Sequence, residues 1–228
     1  GIFIFQFIFG FEESSISPTA HYTSYIWVKH ELSPSQFITP TGILLFFILE
    51  PLMMISRLVI GPTVENMLVA RHKMIDLKLE ELIEKGQVTQ IIEIASGLSG
   101  RGTRFVKKYG NNITYFETDF LKMVSLKQKL LAGQAIPIPT NHKFISLNAL
   151  KSSGPDTLVS LFHHHIQSYR GVVVVTEGLL PYFTQQETHR FWSLLSKELS
   201  VVAFGVYISD LYLKEDILND FFSQIFLN

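Results

Sequence analysis

The feature that most restricts what this chain can become begins near residue 88. From there, short runs rich in β-branched residues (IIEIA at 91–95, ITYF at 113–116, FISL at 144–147, VVVVT at 172–176 and VVAFGVYI at 201–208) alternate with amphipathic stretches near 101–109, 120–132, 155–169, 184–199 and 211–226. Runs that are apolar throughout, rather than at every second residue, suit strands buried on both faces, and helical crossovers between them make those strands parallel. Right-handed crossovers then wind helices onto both sides of one sheet, which predicts a doubly wound, Rossmann-like α/β core over residues 87–228. In such a sheet a ligand lies across the carboxyl ends of the strands, beside the point where strand order reverses. Function is therefore to be sought in the residues that end the strands.

The first 86 residues keep a different rhythm and predict a helical cap followed by a lead-in helix. Ser17-Pro18 can open a short helix carrying Tyr22, Tyr25 and Trp27, and Pro34 and Pro40 punctuate the polar segment that follows. Residues 43–60 read as apolar helical segments broken at Pro51. Residues 64–85 carry Val64, Met67, Leu68, Met74, Ile75, Leu79 and Leu82 near helical spacing, with Gly86 where a helix stop belongs. Two stretches raise the question of a membrane. The opening GIFIFQFIFGF has the apolar run of a signal peptide but neither a basic flank nor a small-residue cleavage site, and a first residue other than Met fits a chain that begins inside a longer reading frame. The run from Ile43 to Ile60 contains Glu50, Pro51 and Arg57, and a charge at bilayer depth costs about 2.5–3.5 kcal/mol, so buried or cap helices are expected there rather than a span.

Composition removes several alternatives. With 47% hydrophobic residues in 228, the chain is neither disordered nor too short to bury a core without staples. A net charge of −1 argues against a protein that binds nucleic acid by neutralising phosphates. The absence of cysteine excludes disulfide frameworks, thiolate zinc sites and thiol nucleophiles, and a cytoplasmic protein is expected. His163, His164 and His165 stand in a row, but neighbours on a helix splay by about 100°, so they cannot converge on one metal ion. No metal is expected.

The strand ends carry a distinctive set of groups. The first strand runs into Ala95-Ser96-Gly97, small residues that let backbone approach a ligand, and the next helix offers its N-terminal N–H groups. A tight turn with no ligand is the alternative. The spacing is not the G-x-G-x-x-G fingerprint of dinucleotide binding. The second strand ends Glu117-Thr118-Asp119, placing an acid about 20 residues after the glycine turn, where it can accept from ribose hydroxyls; Asp119 can also serve as the N-cap of the following helix. Glu177 follows four valines and the threonine that ends their strand, so it needs a cation, either a side chain or a ligand amine. Arg71, on an otherwise apolar helix face, offers a two-pronged grip for a carboxylate. A ligand with a carboxylate, an amine, a ribose and an apolar ring would use all four features, and S-adenosylmethionine has them.

At these residues the sequence resembles the leucine carboxyl methyltransferase-like family, which includes O-methyltransferases of polyketide biosynthesis. The resemblance rests on Ser17-Pro18-Thr19-Ala20-His21-Tyr22-Thr23-Ser24-Tyr25, Arg71-His72, the run from Glu93 to Gly102, Tyr115-Phe116-Glu117-Thr118-Asp119 and Thr176-Glu177-Gly178-Leu179-Leu180-Pro181-Tyr182, and covers roughly residues 16–210. It implies a class I S-adenosylmethionine-dependent methyltransferase with an N-terminal helical cap. Arg71 would hold the methionine carboxylate, Ala95, Ser96 and Gly97 would lie beneath the cofactor, Asp119 would bind the ribose and Glu177 would face the methionine end. Asn148-Ala149 falls where the family often has an aspartate beside the adenine, and an asparagine can still hydrogen-bond the adenine amine. Class I methyltransferases end in a C-terminal antiparallel hairpin; here one helix from Leu211 to Phe226 follows the fifth strand and the hairpin is expected to be missing.

The function this implies is O-methyl transfer to a carboxyl or hydroxyl of a small-molecule acceptor. A hydroxyl acceptor needs a general base, for which His21, Tyr22 and Tyr25 are the candidates, with aromatic packing inside the cap as the alternative for the tyrosines. A non-catalytic S-adenosylmethionine-binding protein is the second reading, and a nicotinamide-dependent oxidoreductase the third.

Overall fold

The structure, a computed structural model, describes residues 18–60, 64–133 and 137–210, the side chains of residues 52–60 and 64 excepted. The expectations for residues 1–17 and for a helix at 211–226 lie outside the described residues.

Three helices precede the sheet: α1 (Pro18–Lys29), α2 (Pro40–Ile60) and α3 (Val64–Glu84). Then β1 (Gln90–Ile94), α4 (Arg101–Tyr109), β2 (Thr114–Asp119), α5 (Leu121–Ala132), β3 (His142–Ser146), α6 (Leu158–His165), β4 (Gly171–Thr176), α7 (Gln185–Leu199) and β5 (Phe204–Ser209) alternate as the pattern predicts. The strands pair in the order β3-β2-β1-β4-β5, every pair parallel. Strand order therefore reverses between β1 and β4, and their last residues, Ile94 and Thr176, lie in register.

Alternation along the strands divides the core in two. Ile91, Tyr115, Val173 and Val175 point to one face, where Ile75, Leu79 and Leu82 of α3 and Phe105 and Val106 of α4 cover them. Ile92, Phe116, Val172 and Val174 point to the other, under Leu158, Leu161 and Phe162 of α6 and Phe191 and Leu195 of α7. Val172 to Val175 are all fully buried, and each such side chain contributes on the order of 1.5–3 kcal/mol of hydrophobic stabilisation. Helix ends follow local chemistry. Thr184 and Glu187 form a reciprocal capping box at the start of α7. Gly86, with φ +68°, ends α3 as its own N–H returns to the Ile83 carbonyl and that of Gln87 to the Leu82 carbonyl.

Two expectations for the N-terminal region change. Residues 40–60 form one continuous helix that contains Pro51, not segments broken there. Nor is α2 simply buried: Leu45 and Phe46 join Tyr22, Ile26 and Leu68 in a cap core, while Leu44, Phe47 and Ile48 are exposed on its other side. Among the described residues, Leu45 and Phe46 pack against α1 and α3, so the first half of this apolar helix buries one stripe there. Among the described residues no helix is long and apolar enough to cross a membrane.

Candidate functional site at the strand tips

The turn after β1 carries the strain expected of a site. Ala95 has φ +55° and Gly97 φ +51°, a left-handed conformation that a non-glycine residue adopts at a cost of order 1–2 kcal/mol. Gly97 N–H donates to Asp119 Oδ2 at 2.8 Å, and Phe120 N–H donates to Oδ1 at 2.7 Å. These bonds tie the tip of β2 to the turn after β1. Asp119 is not the cap of α5, because Phe120 occupies the N-cap position. Burial pushes the Asp119 carboxyl above its ordinary value, against the two backbone N–H groups that lower it. The helix after the turn offers less than expected: Gly100 N–H is taken by Ser33 Oγ at 2.7 Å and Arg101 N–H by Ser99 Oγ at 3.2 Å.

Arg71 and Glu177 meet. Arg71 Nε donates to Glu177 Oε1 at 2.9 Å, and its Nη1 donates at 2.9 Å to Asp210 Oδ2, just beyond β5. The second oxygen of Glu177 receives Arg101 Nη2 at 2.6 Å and lies 2.8 Å from His72 Nδ1. Side-chain cations surround Glu177. They hold its carboxyl far below the ordinary range even though it is almost completely buried, with Arg101 the largest contributor among them.

Arg101 is the centre of this network. It is fully buried, and its Nε donates to Asp76 Oδ1 at 2.6 Å while Nη1 pairs with Glu93. Glu93 in turn accepts from the Tyr115 hydroxyl at 2.8 Å. Arg104 adds a second bond to Asp76 at 2.5 Å, donates to the Leu32 carbonyl at 2.7 Å and approaches His72 Nε2 at 3.1 Å. Burial lowers the His72 pKa; its Nδ1 lies 2.8 Å from both Glu177 Oε2 and Arg101 Nη2, and its Nε2 faces Arg104. Trp27 of α1 stacks on this imidazole, ring centres 4.8 Å apart.

The remaining candidates are placed differently. Asn148 Oδ1 accepts from Leu150 N–H at 3.0 Å in the loop after β3, and Ala149 packs against the second core cluster. His21 Nδ1 lies 2.8 Å from Thr39 Oγ1, with its pKa lowered by burial. Tyr22 is buried in the cap core and Tyr25 stacks on Phe46 at 4.5 Å. Ser96 is buried. Among the described residues no group of acidic or histidine side chains could hold a metal ion, and His163, His164 and His165 are exposed.

Asp76, Arg101, Arg104 and Asp210 belong to the site's charge network without having been singled out from sequence. Asp210 carried a legible signal, an acid directly after the fifth strand. The other three lie on helices, where nothing local distinguishes a buried charge from a solvated one.

The sequence model of the leucine carboxyl methyltransferase family matches residues 53–195, well over half of the 228 residues. None of the curated proteins matches the chain. Among solved structures, magnesium protoporphyrin IX methyltransferase from Synechocystis PCC 6803 with bound SAH is similar at 11% identity and a TM-score of 0.44, over 81% of this chain and 78% of that one. LepI in complex with SAM is similar at 8% identity and a TM-score of 0.41, over 92% of this chain and 54% of that one.

Proposed function

Because the chain belongs to the leucine carboxyl methyltransferase family of S-adenosylmethionine-dependent methyltransferases, we propose that its strand tips bind that cofactor and that it methylates a carboxyl or hydroxyl oxygen of a small-molecule acceptor. The observation that carries the reading is Arg71, anchored through Nε to Glu177 at the point where strand order reverses.

The residues fit the ligand. A Cβ built on Gly97 would lie 3.7 Å from the Ala20 methyl, so the bare glycine widens the space between the turn and the cap. Asp119 keeps lone pairs beyond its two backbone bonds for a ribose diol. Arg71 takes the carboxylate end, Ala95, Ser96 and Gly97 lie beneath the ligand, and Asn148 with Ala149 borders the adenine. Glu177 fixes Arg71 rather than touching the ligand first.

When bound, S-adenosylmethionine supplies an electrophilic methyl group on a sulfonium. The protein's tasks are to align the acceptor in line with that bond and to exclude water. The N-terminal turn of α1 covers the tips: Tyr182, after β4, donates its hydroxyl to Thr19 Oγ1 at 3.4 Å. His21 is bonded to Thr39 through Nδ1 and both tyrosines pack in the cap; a carboxylate acceptor needs no base, and a hydroxyl acceptor draws on His21.

Calorimetric titration with S-adenosylmethionine tests the cofactor. Saturable binding is expected, and Arg71→Ala and Asp119→Ala are each expected to weaken it by about 1–3 kcal/mol, the range for a charged hydrogen bond. Binding of NAD in its place overturns the reading. Transfer of labelled methyl groups to a panel of carboxylic acids and phenols then tests the acceptor: turnover on acids alone supports the carboxyl assignment, and binding without turnover on any acceptor favours a non-catalytic cofactor-binding protein.

A further inference from the structure

Thr39 joins the starts of the first two cap helices. Its hydroxyl oxygen accepts Gly42 N–H at 3.1 Å, which caps α2, and lies 2.8 Å from His21 Nδ1 of α1. The helices come this close because Gly42 has no side chain: a Cβ there would stand 2.5 Å from the His21 carbonyl oxygen. This end of α1 also meets the strand tips, where Ala20, the residue before His21, faces the Gly97 turn.

Counting hydrogens assigns the imidazole. A hydroxyl has one hydrogen to donate and two lone pairs. Gly42 N–H takes one lone pair of buried Thr39, and among the described residues His21 Nδ1 is the acceptor that its hydrogen reaches. A proton on Nδ1 would leave that buried hydrogen without a partner, which costs free energy. Burial lowers the His21 pKa, so the ring is neutral and has a single N–H. With Nδ1 accepting, that N–H is on Nε2. A general base needs a lone pair to spare, and this ring has none: Thr39 occupies the one on Nδ1.

We infer that Thr39 fixes His21 as a hydrogen-bond donor through Nε2, and that this donor receives a carboxylate of the methyl acceptor; the inference rests on reading the strand tips as a methyltransferase site. Nε2–H holds one carboxylate oxygen and leaves the other to attack the sulfonium methyl. The attacking lone pair forms the new C–O bond as the S–C electron pair returns to sulfur, giving an ester and a thioether with no proton to remove. A hydroxyl acceptor has to surrender its proton, and His21 held in this way cannot take it. Thr39 is a positioning residue, and of the two acceptor classes it selects the acid.

The first test needs no ligand. In the full chain carrying isotopically labelled histidine, nitrogen–proton correlation spectra at neutral pH show which ring nitrogen bears the hydrogen, and the signal lost in His21→Gln identifies the residue. Wild type and Thr39→Ser are expected to show Nε2–H, and Thr39→Val to populate both tautomers. Nδ1–H in the wild type, or a Thr39→Val spectrum identical to it, overturns the assignment. The second test uses labelled methyl transfer to the panel of carboxylic acids and phenols. His21→Gln keeps an N–H donor near the place of Nε2 but cannot act as a base. It is expected to stay within about threefold of the wild-type KM for acids, whereas His21→Ala raises that KM about tenfold or more with kcat changed less, the scale of one hydrogen bond to a charged group. Equal losses in the two variants, or a wild-type chain that binds S-adenosylmethionine and methylates no acid, overturn the donor role and leave the cofactor reading standing. Failure of the wild type to bind S-adenosylmethionine overturns that reading and with it the acceptor, while the tautomer is still decided by the spectra.

Discussion

Two buried glutamates, Glu117 and Glu177, look alike by burial and by charge. Glu117 lies within β2, 1% exposed, and is enclosed by Lys127 of α5 and His142 of β3, which are nearly as buried as it is. The Lys127 ammonium also sits 5.5 Å from the centre of the Phe37 ring, which closes the group from the cap side. Glu177 lies just beyond β4 and is enclosed as tightly, but one of its cations, Arg71, continues outward to Asp210 and the Gly178 turn. One network ends on itself. The other ends at the strand tips. A buried carboxylate in a sheet is therefore no sign of function until its partners are followed, and the partner that still reaches the tips marks the site.

The sharpest way to break this comparison is to remove the central cation of each network. Arg101→Met leaves buried Glu93 with the Tyr115 hydroxyl and takes one cation each from Asp76, which keeps Arg104, and Glu177, which keeps Arg71; losing one partner of a buried ion pair costs about 3–5 kcal/mol, so this variant is expected to show the largest loss of stability in urea denaturation. Lys127→Met leaves Glu117 with His142 alone and is expected to cost about 3 kcal/mol, near the low end of that range. The double change Lys127→Met with Glu117→Leu is expected to recover most of it and to keep S-adenosylhomocysteine affinity within about threefold of wild type, since replacing both partners by apolar groups removes the unpaired charge. A large loss of affinity in the double variant would show that the closed network does reach the site.

A smaller effect comes from Gly102, on the first turn of α4. A Cβ there would stand 2.1 Å from Glu117 Oε1 and 2.7 Å from His142 Nε2. Alanine normally stabilises a helix interior by about 1 kcal/mol over glycine, but Gly102→Ala is expected to destabilise by about 1–3 kcal/mol, the usual cost of overpacking, with the change read from the denaturation midpoint. A gain in stability would mean that the glutamate has room to retreat.

The smallest effect is in pH. Burial depresses His72 below its ordinary 6.5, so the unfolded chain takes up a proton the folded protein resists, and stability falls as pH drops below 6.5. Both glutamates are held below their ordinary 4.5, so the stability they contribute is present above that value and is lost as pH falls beneath it. Thermal melts are expected to decline from near pH 6.5 downward, and His72→Gln is expected to flatten the part between 6.5 and 5. An unchanged slope would place that titration elsewhere, His21 being the other imidazole with a pKa lowered by burial.

The sheet was legible because its strands are apolar without interruption: the four valines of β4 admit no reading with one wet face. The register of Arg71 with Glu177 was legible only as complementary charge in search of a partner. Arg101 was not, although it stands in the glycine-rich run, because a guanidinium at a helix start is ordinarily solvated; its burial depends on Asp76 and Glu93, 25 and 8 residues away. The helix at 40–60 was misjudged for a related reason. Pro51 deletes one backbone bond, and the remaining turns of the helix carry it through.

Trp27 gives the network a voice. The chain has two tryptophans, and each lies beside an imidazole: Trp27 against buried His72, Trp192 against exposed His189 at 6.4 Å. Intrinsic emission from these indoles therefore contains one channel from Trp27 beside the network and one from half-buried Trp192, and replacing Trp192 by phenylalanine isolates the first. The protein comes with its own optical readout of the charges around Arg101, and no label has to be attached to see them move.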